Sequence, residues 1–144
     1  MAYNPSNGLI RVKDQGTSTY VTIPLKYISY ENYKVTPQQM IDLDSYVSET
    51  GKLIRNVLSH TRTKIEFTTP YINSKDWAAL WAIISAGFSD ALERKCRIIY
   101  YDPFEDTYKN ITCYVPDIEF TVRNIDETAK VVNYDGIRIA FIEY

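Results

Sequence analysis

The sequence is poorest in the residues that carry chemistry. His60 is the only histidine, and Cys96 and Cys113 are the only cysteines, in a chain of 144 residues. A lone histidine builds no His-based metal site without carboxylates or thiolates, and neither cysteine stands near it in sequence. As a general base it would need an orienting acid and a nucleophile, which no local pattern supplies. The five glycines stand singly, so no phosphate-cradling loop is available. None of the P-loop, dinucleotide, nucleophile-elbow, zincin or C-x-x-C patterns occurs. Asp42, Asp44 and Glu49 precede Gly51 and superficially resemble a calcium loop, but Val57 and Leu58 stand where its closing Glu belongs. Asp102, Glu105 and Asp106 surround Pro103 in what reads as a tight turn rather than an acid–base pair. No enzymatic activity, cofactor or metal is expected.

Other shortages exclude further classes. The net charge is −2 and the basic residues are scattered, so no basic stripe marks a nucleic-acid footprint. No apolar run approaches the ~18 residues of a membrane span, and the polar first twenty residues hold no signal-peptide core. Cys96 and Cys113 both lie in apolar strand-like runs and read as buried free thiols, with a disulfide left open if their strands are neighbours.

Tyrosine is what the chain has in excess: 13 residues, with aromatics at 14%. Aromatic and β-branched residues suit a pleated, half-buried surface, and tyrosine also suits interfaces. Residues 1–19 read as a polar arm containing a short strand over Leu9 to Val12. Residues 20–144 read as one β-sandwich domain. Tyr20 to Ser29 is expected as a strand, with Pro24 marking an edge or a bulge. Thr63, Ile65 and Phe67 alternate with Arg62, Lys64 and Glu66, the signature of a sheet with one wet face. Further strands are expected over Cys96 to Tyr101, Tyr108 to Val115, Ile118 to Val122 and Ile137 to Phe141. Between the two groups of strands the period changes. Asn73 or Ser74 caps a helix over Lys75 to Ala86, with Trp77, Leu80, Trp81 and Ile84 on one apolar stripe and Gly87 as its C-cap. The expected fold is mainly β with one principal helix (α+β): an antiparallel β-sandwich or flattened barrel.

Met40 to Val47 and Leu53 to Leu58 flank a turn in which Gly51 takes positive φ, giving an extended β-hairpin. Ile41, Leu43, Tyr46 and Val47 on one arm and Leu53, Ile54, Val57 and Leu58 on the other make both faces apolar. A small domain covers only one such face, so a neighbouring subunit is expected to cover the other; the alternative is a hairpin inside the domain, its two faces against core and helix.

The stretch from Tyr33 to Trp81 holds Asp42-x-Asp44-Ser45, Gly51-Lys52-Leu53-x-Arg55, the strand His60 to Phe67 and a helix opening at Asp76-Trp77. With Arg97 to Pro103 after the helix, it resembles a group of small prophage tail proteins of Gram-positive hosts. The resemblance implies a tail-tube-like or baseplate-hub-like β-sandwich of the virion that self-assembles into rings, commonly sixfold. It also implies other tail proteins as partners, the Met40 to Leu58 hairpin laid against neighbouring subunits, and DNA passing without specific contact. The alternative is a ligand- or carbohydrate-binding β-module, with Trp77 and Trp81 as a stacking platform instead of core.

Overall fold

The computed structural model describes residues 2–42 and 45–144. The strands are β1 (Ile10–Lys13), β2 (Tyr20–Thr22), β3 (Lys34–Gln39), β4 (Tyr46–Val47), β5 (Leu53–Ile54), β6 (Arg62–Thr68) and β7 (Ile72–Asn73). The helix α1 (Ser74–Ser85) follows, then β8 (Lys95–Asp102), β9 (Thr107–Tyr114), β10 (Val122–Asp126), β11 (Val131–Tyr134) and β12 (Arg138–Glu143). The protein is mainly β, with one α-helix among the described residues. Every strand pair is antiparallel.

Seven strands form the main sheet in the order β2-β1-β8-β9-β12-β6-β3, and a smaller sheet has the order β10-β11-β7. β2 and β3 remain edges of the main sheet, so the flattened barrel among the expected forms does not close in the described residues. The pleat divides the main sheet. Val12 faces Ile98, Ile98 faces Ile111, Phe141 faces Ile65 and Ile139 faces Phe67 across successive pairs. These residues are buried in one cluster with Leu80 and Ile84 of α1. Arg97, Lys64, Glu66 and Arg138 take the other face, which follows from the period-2 alternation in the sequence.

The first strand corrects the expected polar arm. Ile10 and Val12 are fully buried, and β1 sits between β2 and β8, so residues 10–13 are part of the domain. The expected strand over Tyr20 to Ser29 stops at Thr22, because Pro24 opens a 3-10 turn over Leu25–Tyr27. β7 and β11 were not foreseen, and the expected strand over Ile118 to Val122 begins only at Val122.

The helix starts as its sequence dictates. The Asn73 side chain accepts a hydrogen bond from the Asp76 N–H at 2.8 Å, satisfying one of the donors that a helix N-terminus leaves open. Its other end differs from expectation. Ala86 is the C-cap in ordinary helical conformation, and Gly87 lacks the positive φ of a left-handed cap. A Cβ at Gly87 would lie 2.3 Å from Val12 Cγ1 and 3.1 Å from the Lys13 carbonyl oxygen. Glycine there lets the end of α1 close onto β1. Cys96 and Cys113 are direct cross-strand partners, free thiols with their sulfurs 3.6 Å apart. Burial, then the contact with Cys96, pushes the Cys113 thiol well above its usual range.

Candidate functional site

The hairpin between β3 and β6 leaves the main sheet at a kink. The β3–β6 register shifts between Thr36 and Gln39, where Gln38 has φ 49° and its N–H bonds Thr63 Oγ1 at 3.1 Å. Beyond that point the described residues of the arm pair with one another. β4 and β5 make a separate two-stranded sheet, extended by the Asp42–Val57 bridge and the Leu58 N–H to Ile41 carbonyl bond at 2.8 Å. The pairing is shorter than the two arms expected from Met40 to Leu58. Gly51 closes the turn with the expected positive φ of 85°, in open space. Met40, Tyr46, Val47, Leu53, Val57 and Leu58 are 41–64% exposed, while Ile41 and Ile54 are half-buried. Leu43 lies outside the described residues. At the base of the arm, His60 Nε2 lies 2.6 Å from the Tyr144 carbonyl oxygen, a tie between the hairpin and the last residue.

The apolar stripe of α1 divides. Leu80 and Ile84 are fully buried. Trp77 and Trp81 are half-buried, their rings stacked with centroids 5.8 Å apart and planes 19° apart. Phe120 packs edge-on against Trp77 at 5.0 Å, and Phe88 edge-on against Trp81 at 5.6 Å. The two indoles therefore both pack on the core and line a groove of about 430 Å³ with Arg94, Asp117, Ile118 and Phe120. Arg94 and Asp117 form an ion pair at its rim. The segment holding Asp117, Ile118 and Phe120 was not singled out as a site in the sequence. It reaches α1 from more than thirty residues away, and no local pattern announces that meeting.

The acidic turn between β8 and β9 is occupied from within. Asp102 is fully buried and paired with Lys109 Nζ at 2.9 Å, and Glu105 reaches the same ammonium at 3.2 Å. These bonds raise the Lys109 pKa above its ordinary value, Asp102 contributing most. The described residues hold no group of three or more His, Cys, Asp or Glu placed to hold a metal ion. No helix among them is long and apolar enough to cross a membrane.

The molecule is thus an antiparallel, mainly β domain offering a self-paired apolar arm and an aromatic groove. Its chain belongs to the family of unknown function DUF6711, whose model matches residues 9–144. The match starts one residue ahead of β1 and takes in the hairpin, the helix and both larger sheets. No curated protein matches the chain.

Proposed function

We propose that this protein is a structural component of a bacteriophage tail, in the tube, distal hub or baseplate, that associates with copies of itself into rings. The observation that supports it most is the hairpin. Six large apolar side chains stand 41–64% exposed on the hairpin, roughly several hundred Å² and the scale at which an apolar surface marks an interaction site. That is a large part of the ~800 Å² that each partner gives to a standard interface. A two-stranded hairpin is marginal in water on its own, so a neighbouring copy laid along it would add order as well as burial.

The tail assignment draws on the resemblance carried by Asp42 to Pro103. A tail-tube-like sandwich would suit the same role, and the burial of Leu80 and Ile84 of α1 and of Ile72 in one cluster with the main sheet supports that reading. The ring is expected to be a hexamer within the virion, with other tail proteins as partners. An acidic chain, net −2, would let DNA pass without holding its phosphates. Sizing at micromolar concentration should find a species well above 16.7 kDa, and Leu53→Asp should reduce it to the monomer. A wild-type protein that stays monomeric throughout that range would sink the ring assembly.

The groove supports a second reading, a ligand- or carbohydrate-binding module. A concave, tryptophan-lined space of about 430 Å³ is within the usual size of small-molecule sites. Tryptophan emission that shifts on titration with simple sugars would favour it; emission indifferent to them would count against it.

A further inference from the structure

We infer that the outer face of the main sheet binds nucleic acid through its phosphates, with the cleft between Lys13, Lys95 and Arg97 as the first point of attachment. The inference does not rest on the tail reading, and the net charge of −2 describes the whole chain and not this face.

The basic residues that look scattered in the sequence are gathered by the pleat. Side chains alternate between the faces of a strand, and direct cross-strand partners share one face. Opposite the buried cluster, β1 contributes Arg11 and Lys13, β8 Lys95 and Arg97, β6 Arg62 and Lys64, β12 Arg138 and β3 Lys34. Eight of the chain's 16 lysines and arginines therefore stand on this face, and of its 18 acids only Glu66 occupies a strand position there.

Neutral partners hold most of that charge in place without cancelling it. Glu66 is taken by Arg138 and Lys64. Arg11, Lys13, Lys34, Arg62, Lys95 and Arg97 form no ion pair among the described residues. Arg97 Nε donates to Asn110 Oδ1 at 2.9 Å, and Asn110 Nδ2 donates to the Tyr20 hydroxyl at 2.7 Å. The Arg11 guanidinium lies 5.3 Å from the Tyr108 ring centroid, and Lys95 Nζ lies 4.9 Å from that of Tyr144. An amide or an aromatic face orients a cation and leaves its charge intact.

Lys13, Lys95 and Arg97 line a cleft of about 260 Å³ with Gln15, Ser89 and Thr112, and no carboxylate lines it among the described residues. The negative end of α1 is covered on this side, because the Ala86 and Gly87 carbonyls accept from the Gln15 N–H and Nε2. The acidic turn ahead of β8 is held to itself, the Asp90 carboxylate accepting from the Leu92 and Glu93 N–H groups. Three cations and two hydroxyls suit one phosphate, whose oxygens accept charge-assisted hydrogen bonds. The other cations make that phosphate one of a series. Five strand spacings separate β1 from β3 in the sheet, so at ~4.8 Å each the charged face is about 24 Å wide. Lys34 and Arg62 stand on its far side, out of reach of a phosphate in the cleft. One strand of a duplex carries a phosphate about every 3.4 Å of axis, so a backbone crossing the face meets both groups. Contacts of this kind fix position without reading sequence.

The test is fluorescence anisotropy of a labelled DNA duplex of about 20 base pairs, titrated with the whole chain between about 50 and 200 mM salt. Six unpaired cations predict that log affinity falls with log salt at a slope of about −5, and duplexes of different sequence should bind alike. Lys13→Gln combined with Arg97→Gln should flatten the slope by about 2, and Lys34→Gln by about 1. Lys75→Gln and Lys130→Gln, which lie off this face, should leave it unchanged. No binding at about 50 mM salt, or a slope that Lys13→Gln with Arg97→Gln does not move, would overturn the inference. Inorganic phosphate bound in the cleft without any binding of the duplex would overturn it in favour of a small phosphorylated ligand. Poly-glutamate that displaces the duplex at equal charge would overturn it in favour of an acidic protein partner. Binding retained by Leu53→Asp would support the face whether or not rings form.

Discussion

The β8–β9 ladder and the β4–β5 hairpin are the same device, two antiparallel strands closed by a short turn, put to opposite uses. β8 and β9 pair over eight residues and are flanked by β1 and β12. One side of the ladder is buried through Cys96, Ile98 and Tyr100. β4 and β5 pair over two residues, have no flanking strand among the described residues and leave comparable apolar side chains in solvent. Apolar content alone does not distinguish the two; neighbours do. A strand pair becomes core when a third strand and a packed face cover it, and otherwise stands ready for pairing with another chain.

Substitutions in the two ladders should therefore separate most sharply. Ile98→Ala removes a fully buried side chain and is expected to cost about 2–5 kcal/mol in denaturant unfolding. Leu53→Ser, on the arm, should change monomer unfolding by no more than about 0.5 kcal/mol while removing the assembled species. A hairpin variant that destabilises the monomer as much as Ile98→Ala would erase the contrast, and with it the case for a second copy on the arm.

Two glycines sharpen the same contrast at a smaller scale. Gly87→Ala drives a methyl into Val12 and the Lys13 carbonyl, so thermal unfolding should register a loss of about 1–3 kcal/mol. Gly51→Ala meets open space but must keep φ at 85°, a conformation that costs an L-residue roughly 1–2 kcal/mol. Because the strain falls on the arm, it should appear as weaker association with the melting temperature nearly unchanged. Equal melting shifts for the two would show that the arm and the domain unfold as one.

How far the chain could be read without coordinates follows the same division. The alternation of Thr63, Ile65 and Phe67 was legible because β6 has one wet face, and the α1 stripe was legible because Leu80 and Ile84 repeat with the helical period. The place of Ile10 and Val12 was not. Four residues between turns carry too little pattern to show that their strand lies inside the main sheet instead of in a polar arm. β7 and β11 are short and carry polar residues, Asn73 and Asn133, which face each other where the two strands pair, and β11 is held on its other side by β10. The hairpin was visible as an apolar arm around Gly51. That Trp77 and Trp81 would be half-exposed could not be seen, since spacing shows which face of a helix is apolar and not where its covering ends.

A cap tests the body next. Asn73→Ala should cost about 1 kcal/mol, read as a lower denaturation midpoint. No change at all would mean that the pairing of β7 with β11, more than the cap, fixes where α1 begins.

The smallest expected effect is electrostatic and belongs to the wet face of the main sheet. Arg138 Nε donates to Glu66 Oε2 at 2.9 Å, and its Nη2 reaches the same oxygen, with Lys64 Nζ at 3.7 Å. Chiefly through the Arg138 hydrogen bond, and against the opposing effect of burial, the Glu66 carboxyl titrates below its ordinary 4.5. Its folded pKa is thus lower than its unfolded one. The stabilisation is present above about pH 4.5 and is lost as pH falls through the folded value, where the unfolded chain takes up the proton first. For a solvent-screened pair the magnitude should stay below about 1 kcal/mol. Arg138→Gln should therefore lower the denaturation midpoint slightly at pH 7 and flatten its decline under acid. The arm supplies the control: Arg55 and Asp42 meet at 3.3 Å with both side chains more than two-fifths exposed, a geometry in which ion pairs often contribute nothing measurable. Arg55→Gln should leave monomer unfolding unchanged at pH 7, and a loss there equal to that of Arg138→Gln would mean that the arm is anchored to the domain as firmly as the sheet is to itself.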